Sequence, residues 1–584
     1  MRRSRVVALT GAVALATTAF GASTATAALQ SPTASSASTA SSTAGSGTYV
    51  VLVDSGADAR AVAAALRKDG ATVTSVNTDI GLISVRSSSA TFLSTARSLS
   101  GVKAAAHDGV VGRAPDAAPV TDPVLKEHQA SPNRSSGSGR GAKKAPKADP
   151  LDSLLWGMDM INAPEAHAVT LGKKKVLVGV MDTGVDGKHP DLAPNFDRRL
   201  SRNFVTDIPA IDGACEYASC VDPVDEDDDG HGTHTAGTMA AALNGIGVSG
   251  VAPNVSLVNV RAGQDSGYFF LSATANALTY SGNAGIDVVN MSFYVDPWLY
   301  NCKGGAPEDS PAEAAEQDVI IETMNRALNF AHRKGVTLVA ALGNNNEDIS
   351  HPRTDDTSPD YPAGTEHDRT IDNATCLDLP VEGPHVIGVS SLGPSERKAD
   401  YSNWATDLTS GELEVSAPGG WFRDGFGTPT YRSLGNEILS TAPLNVLQAN
   451  GTVDANGNIT PAGTTAGITK DCGTVKGKAV CGYYQYLQGT SMASPHAAGV
   501  AALAVSAHGH SQGRSGFGLA PDKVRRLVMG TATDHACPTP PLQSYAEVGR
   551  SPLYDALCTG TADFNSFYGD GIVNALGVVA RHGH

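Results

Sequence analysis

Three short motifs set an acid, an imidazole and a hydroxyl among small neighbours: Val180-Met181-Asp182-Thr183-Gly184, Asp229-Gly230-His231-Gly232-Thr233-His234, and Gly489-Thr490-Ser491-Met492-Ala493-Ser494-Pro495-His496. Hydrolysing a peptide bond near neutral pH needs a hydroxyl made nucleophilic by an adjacent base, and an acid that orients that base and stabilises it once protonated. Asp182, His231 and Ser491 are the candidate catalytic residues for these roles. Ser491 opens a small-residue run, Ala493 to Val505, that reads as a helix, so its backbone N–H lies at the positive end, where a developing oxyanion is favoured. A fourth motif, Val339-Ala340-Ala341-Leu342-Gly343-Asn344, ends a strand in an amide. Alone, Gly-Asn reads as a turn; beside the other motifs, Asn344 and the Ser491 N–H form a candidate oxyanion hole.

Other chemistries fit less of the chain. Asp182-Thr183-Gly184 is also an aspartic-peptidase signature, with Asp54-Ser55-Gly56 as a second copy, but that mechanism needs two carboxylates sharing a proton and leaves His231 and Ser491 without a role. His231 and His234 lack the His-Glu-x-x-His pattern of zinc peptidases, so His234, like His496, reads as structural. The eight cysteines all lie beyond residue 200 with no Cys-x-x-Cys, which favours disulfides over zinc. Spacing makes Cys215 with Cys220 and Cys472 with Cys481 the plausible local pairs, although eight cysteines allow 105 connectivities. The run Asp225-Glu226-Asp227-Asp228-Asp229 has the chemistry of a calcium loop but reads first as a solvated acidic loop. The chemistry requires no cofactor; a structural calcium is allowed, with no metal ligand assigned. No phosphate-binding loop or dinucleotide fingerprint is present in the sequence.

β-branched runs alternate with helical stretches at 176–181, 256–260, 287–291, 336–341 and 386–390. They predict an α/β fold whose mainly parallel central sheet is covered by helices on both faces, with the motifs at the carboxyl ends of strands. Ahead of it, strands at 49–53, 72–76, 82–85 and 102–106 and helices at 57–67 and 89–99 give the split βαβ order of a small α+β, ferredoxin-like domain. The N-terminus, Arg2-Arg3-Ser4-Arg5 followed by an apolar run and Ala25-Thr26-Ala27, reads as a signal peptide over residues 1–27, its apolar run being short for a membrane anchor. The expected organisation is completed by a low-complexity spacer at 28–47, the small domain at 48–113, a Lys- and Arg-bearing linker at 114–150 and the main domain at 151–584. A net charge of −16 argues against nucleic acid as a partner. Secretion without a remaining membrane anchor, and a monomeric state, are the expectations.

In the order Asp, His, Asn, Ser, the four motifs resemble the subtilisin family of serine peptidases. The likeness runs from about Trp156 to Asn574 and takes in His189-Pro190-Asp191-Leu192, Gly250-Val251-Ala252-Pro253, Ala417-Pro418-Gly419 and Tyr568-Gly569-Asp570-Gly571. It implies a secreted endopeptidase acting on polypeptides, with Ser491 attacking the scissile carbonyl, His231 moving the proton, Asp182 orienting His231, and Asn344 with Ser491 N–H holding the oxyanion. It also implies substrate-binding roles for Ser292 and Phe293, on the edge strand that pairs with substrate, and for Ala340, Ala341, Leu342 and Gly343, one wall of the pocket for the residue before the cut. The chain departs from the family where Phe293-Tyr294-Val295-Asp296 replaces a Leu followed by glycines, and this bulk is expected to fill the pocket. A family calcium loop near Leu243 to Val248 looks short here. The 49–113 unit is similar to the family's inhibitory propeptide, which implies a self-processing zymogen inhibited by its own N-terminal domain. Insertions at 297–311 and 445–484 are expected either to rim the groove or to decorate the surface. A catalytically dead binding homologue usually lacks a triad member, and none is lacking here. Phe293-Tyr294 and the insertions favour a maturation peptidase of restricted specificity, while secretion without a C-terminal anchor favours a diffusible degrader.

Overall fold

Side chains that alternate across short β-branched strands divide the molecule into layers. The structure, a computed structural model, describes residues 47–113, 146–293, 297–351, 354–359, 365–475, 477–511 and 516–580. The expected signal peptide, nearly all of the expected spacer and most of the expected linker lie outside them. The N-terminal unit runs β1 (Gly47–Val53), α1 (Ala59–Lys68), β2 (Thr72–Asn77), β3 (Leu82–Ser87), α2 (Phe92–Ser98), β4 (Val102–His107) and β5 (Val110–Arg113). β2-β3-β1-β4 form one sheet. Tyr49, Val51 and Val53 pack beneath α1 and α2, whereas Val50 and Leu52, pointing the other way, enter the core of the main domain. One strand thus serves two cores, as period-two alternation requires.

The main domain begins with α3 (Trp156–Met160) and α4 (Ala163–Val169), then β6 (Leu177–Met181), β7 (Arg202–Asn203), α5 (His231–Ala240), β8 (Ser256–Arg261), β9 (Tyr268–Phe270), α6 (Leu271–Ala284), β10 (Val288–Met291), β11 (Asn301–Cys302) and α7 (Pro311–Arg333). It continues with β12 (Thr337–Ala341), β13 (Cys376–Leu377), β14 (Val386–Leu392), β15 (Val415–Pro418), β16 (Ile438–Ala442), α8 (Leu444–Ala449), α9 (Pro461–Thr465), β17 (Thr469–Val475), β18 (Lys478–Leu487), α10 (Thr490–His508) and α11 (Pro521–Gly530). Seven strands form a parallel sheet in the order β15-β14-β12-β10-β6-β8-β7. Val178, Val180 and Val339 face the core shared with α5 and α10, while Met181, Met291 and Leu338 face the core shared with α6 and α7. α10 is buried almost throughout, because Ala and Gly let it lie close to the sheet.

Four disulfides join Cys215–Cys220, Cys302–Cys376, Cys472–Cys481 and Cys537–Cys558. Both local pairs expected from spacing are among them. The two insertions are structural: 297–311 buries Trp298, Tyr300 and Cys302, and 445–484 supplies β17 and β18, which pair with each other and with β16.

Lys398 is fully buried. Its Nζ donates to the carbonyls of Ala399 (3.0 Å) and Ser402 (2.6 Å) and lies over the rings of Trp404, Tyr545 and Phe567. Burial pushes its pKa down to about 7, with the Asp400 charge opposing the fall. A lysine so lowered binds its proton more weakly folded than unfolded, so stability is greatest above the unfolded value of 10.5 and declines as pH drops toward 7. Wild type should gain up to about 1.4 kcal/mol per pH unit between 7 and 10.5 relative to Lys398→Met. Denaturant titrations of both proteins at pH 7 and 9 check the difference.

Candidate active site

Asp182 follows β6 directly, His231 is the first residue of α5, and Ser491 lies in the first turn of α10, so the sheet's carboxyl edge collects all three. Asp182 Oδ1 is 2.8 Å from His231 Nδ1, across 49 residues of sequence. The same carboxylate accepts from Thr183 N (2.9 Å) and Thr235 Oγ1 (3.2 Å). The approach is close: a Cβ on Gly232 would lie 2.1 Å from the Gly184 carbonyl oxygen, so glycine beside His231 is what lets α5 reach the turn after β6. Burial alone pulls the His231 pKa down, but the Asp182 carboxylate, with Asp229 and Asp227 behind it, more than reverses this and leaves the pKa above the ordinary 6.5.

Ser491 Oγ donates to the Ser292 carbonyl (3.1 Å), and His231 Nε2 has no partner among the described residues. Ser292 Oγ in turn donates to the Ser491 carbonyl (2.9 Å) and meets Ser494 Oγ (2.8 Å), locking the end of β10 to the start of α10. The Asn344 amide oxygen accepts from Thr490 N and Thr490 Oγ1, both at 2.9 Å. With the oxygen so held, Nδ2 is the end left to donate. The Ser491 N–H, in the first helical turn, has no intrahelical acceptor, so two donors stand beside the serine. Replacing Asn344 by Leu should lower kcat by about 10²–10³-fold with little change in KM, a magnitude set by subtilisin's own amide. Steady-state kinetics on a short peptide check it.

The residues expected to touch substrate divide. Ala340 and Leu342 are buried in the core with α6 and α7, whereas Ser292 and Gly343 are tied to the start of α10 through Ser491 and Thr490. Phe293 is fully buried with the N-terminal domain in place and stacks on Phe269 of β9 at 4.2 Å. β10 is no edge strand, being paired with β6 and β12 through Met291. The strand that does pair with an extended segment is β9, which sequence reasoning missed. β5 lies antiparallel to it, Val110 opposite Phe270 and Arg113 opposite Tyr268.

Nor is the acidic run a solvated loop. Asp227 is buried and accepts from Thr183 Oγ1, Gly230 N, Thr233 N and Thr233 Oγ1, bracing the His231 turn; Asp225 pairs with Arg198 and Lys188. Asp229, its pKa pushed up to about 6 by burial and the Asp227 charge, accepts from His231 N (2.9 Å). Near 243–248, Asp149 accepts from Asn244 N and Gly245 N, and Asp191 from Tyr484 Oη, Asn244 Nδ2 and Val248 N. The carboxylates of Asp227, Asp149 and Asp191 are engaged by N–H and O–H donors, whereas Asp228 of the acidic run lies with Asp222 and Asp265 in a group of carboxylates close enough to hold a metal ion. His234 Nε2 meets the Ile438 and Gln485 carbonyls, and His496 Nδ1 meets the Met492 carbonyl, in keeping with structural roles.

The family model "Subtilase family" matches residues 173–555. Among curated relatives, thermitase of Thermoactinomyces vulgaris is 28% identical over 50% of this chain and 79% of its own length. An alkaline protease of Alkalihalobacillus alcalophilus is 29% identical over 50% of this chain and 57% of its own. The solved structure of the epidermin leader peptide processing serine protease of Staphylococcus aureus superposes with a TM-score of 0.59, covering 92% of this chain and 99% of that one at 19% identity. That of fervidolysin from Fervidobacterium pennivorans gives 0.53, covering 92% and 61% at 20% identity. With this match spanning well over half of the sequence and the fold shared, the chain belongs to the subtilase family of serine proteases.

Proposed function

We propose that the protein is a secreted endopeptidase that cuts polypeptides through Asp182, His231 and Ser491 and is made as a self-processing precursor. The buried Asp182–His231 hydrogen bond beside Ser491 is the observation that carries the reading. Rotation of Ser491 off the Ser292 carbonyl delivers Oγ to His231 Nε2, a contact that tightens in the substrate complex. Oγ then bonds to the scissile carbonyl carbon as its proton passes to His231. The oxyanion is held by Asn344 Nδ2 and Ser491 N–H, and His231 returns the proton to the departing amine. Water, deprotonated by His231, releases the acyl group as a carboxylate and restores the serine. The chain's own residues supply every step, and no cofactor is invoked.

The 48–113 domain is proposed as the intramolecular inhibitor. Its support is its seat on α6 and α7: Asp108 accepts from Ser272 N and Oγ at the start of α6, Asn77 Nδ2 donates to Asn276 and Thr279, and Arg326 donates to the carbonyls of Val53 and Ile80. β5 occupies β9 as an extended substrate would, in the manner of strand addition. Export by residues 1–27 completes the reading; among the described residues no helix is long and apolar enough to cross a membrane. Incubating purified protein with unfolded casein, while following the size of its own N-terminal fragment, tests the proposal. Fragments from both support it. Intact casein with a fully processed, folded protein contradicts it.

A further inference from the structure

Asp378 lies just past β13, where the Cys302–Cys376 disulfide ties β11 and β13 together. Its side chain is 1% exposed, yet neither carboxylate oxygen has a hydrogen-bond partner among the described residues. The groups around it add negative charge. Glu382 accepts from Asp378 N and hydrogen-bonds Glu412, and the buried Tyr300 hydroxyl nearby is also without a partner. Arg369, the buried cation of this region, is engaged by Asp309 and Asp355. A buried carboxylate with no counter-charge and no donor is costly, and burial correspondingly drives the Asp378 pKa well up.

The place of this carboxylate relates it to the catalytic residues. Gly343 has φ +104°, and a Cβ there would lie 2.3 Å from Asn403 Nδ2 and 3.4 Å from Asp378 Oδ2, so both side chains stand against this glycine. Gly343 immediately precedes Asn344, whose amide is proposed to hold the scissile carbonyl. A substrate residue whose carbonyl sits at Asn344 has its backbone beside Gly343, with the Asn403 amide, which donates to the Leu342 carbonyl (3.0 Å), and the Asp378 carboxylate behind that glycine. We infer that Asp378 is the base of the pocket for the residue on the amino side of the cut and selects a cationic side chain, lysine or arginine. The long apolar stem of either residue suits passage along a wall of backbone and small side chains, and its head supplies the missing charge and donors. The precursor offers such residues: Arg140, Lys143, Lys144 and Lys147 precede Asp149, whose bonds to Asn244 N and Gly245 N anchor the first segment of the main domain. Self-cleavage after one of the four releases the inhibitor and leaves that anchor intact.

This inference rests on the proposed function, and one experiment separates the two. Peptides differing only in the residue before the cut, Lys, Arg, Leu, Phe or Glu, are assayed with the wild-type protein, and the N-terminus of the matured chain is sequenced. kcat/KM for Lys or Arg is expected to exceed that for Leu and Phe by about 100-fold, and the mature N-terminus to follow a basic residue. Asp378→Asn should bring the basic-to-apolar ratio close to one. Cleavage after Leu or Phe at least as fast as after Lys and Arg overturns the inference while leaving the endopeptidase reading in place. Cleavage of none of the peptides removes both. Should Asp378→Asn not fold, the wild-type profile and the N-terminal sequence decide.

Discussion

Replacing Ser491 by Ala is expected to abolish both cleavage of added protein and processing of the precursor, with kcat falling by about 10⁶-fold. That figure belongs to subtilisin, where nucleophile and base act as a unit; here the proposed unit forms when Ser491 Oγ leaves the Ser292 carbonyl for His231 Nε2. Among the described residues Ser491 Oγ makes one hydrogen bond, to the Ser292 carbonyl, so its loss removes the proposed nucleophile and leaves α10 and its bonds to Ser292 Oγ in place. The variant should therefore fold, secrete and remain as an uncut precursor with the 48–113 domain attached. Mass spectrometry of secreted wild type and variant, alongside peptide kinetics, reads both effects. A variant that still processes itself in the absence of wild-type protein would show that another group, or another protease, makes the cut.

Asp182→Asn should cost about 10⁴-fold in kcat with little change in fold, since the amide keeps the size of the side chain it replaces. Two effects combine: the amide no longer stabilises the imidazolium, and its NH₂ can turn toward Nδ1 and hold the wrong tautomer. The pH dependence gives a second handle. His231 must be neutral to accept the Ser491 proton, and the carboxylates around it hold its pKa above 6.5. In wild type kcat/KM should thus rise tenfold per unit through the acid range and level off only above 6.5. Without the Asp182 charge, burial prevails and the acid limb should move to lower pH. Rate profiles of both proteins from pH 5 to 9 on one peptide make the comparison, and identical acid limbs would remove Asp182 from the account.

The sheet was legible in the sequence because its strands are buried on both faces and so are written as β-branched runs, each ending at or near a motif. The N-terminal domain was legible strand by strand for the same reason of periodicity. Asp182, His231, Asn344 and Ser491 stood out because each ends a strand or opens a helix among glycines. What stayed hidden depends on contacts distant in sequence. Nothing in the sequence shows that Phe293 stacks on Phe269, 24 residues earlier. Asp227 reads as solvated until Thr183, 44 residues earlier, donates to it. β9 is three residues long and has no signal without β5. Cys302 and Cys376, 74 residues apart, give no local cue to their pairing, and Asp378 follows them in an unremarkable Leu-Asp-Leu-Pro segment.

The central claim is that Ser491 is the nucleophile of a working hydrolase, and a fluorophosphonate that reacts with activated serines tests it most directly. Treating the matured protein and digesting it for mass spectrometry should place one adduct on the peptide carrying Gly489-Thr490-Ser491-Met492, with peptidase activity lost in proportion to labelling. An adduct on another residue accompanying that loss, or full activity retained after Ser491 is labelled, would contradict the account.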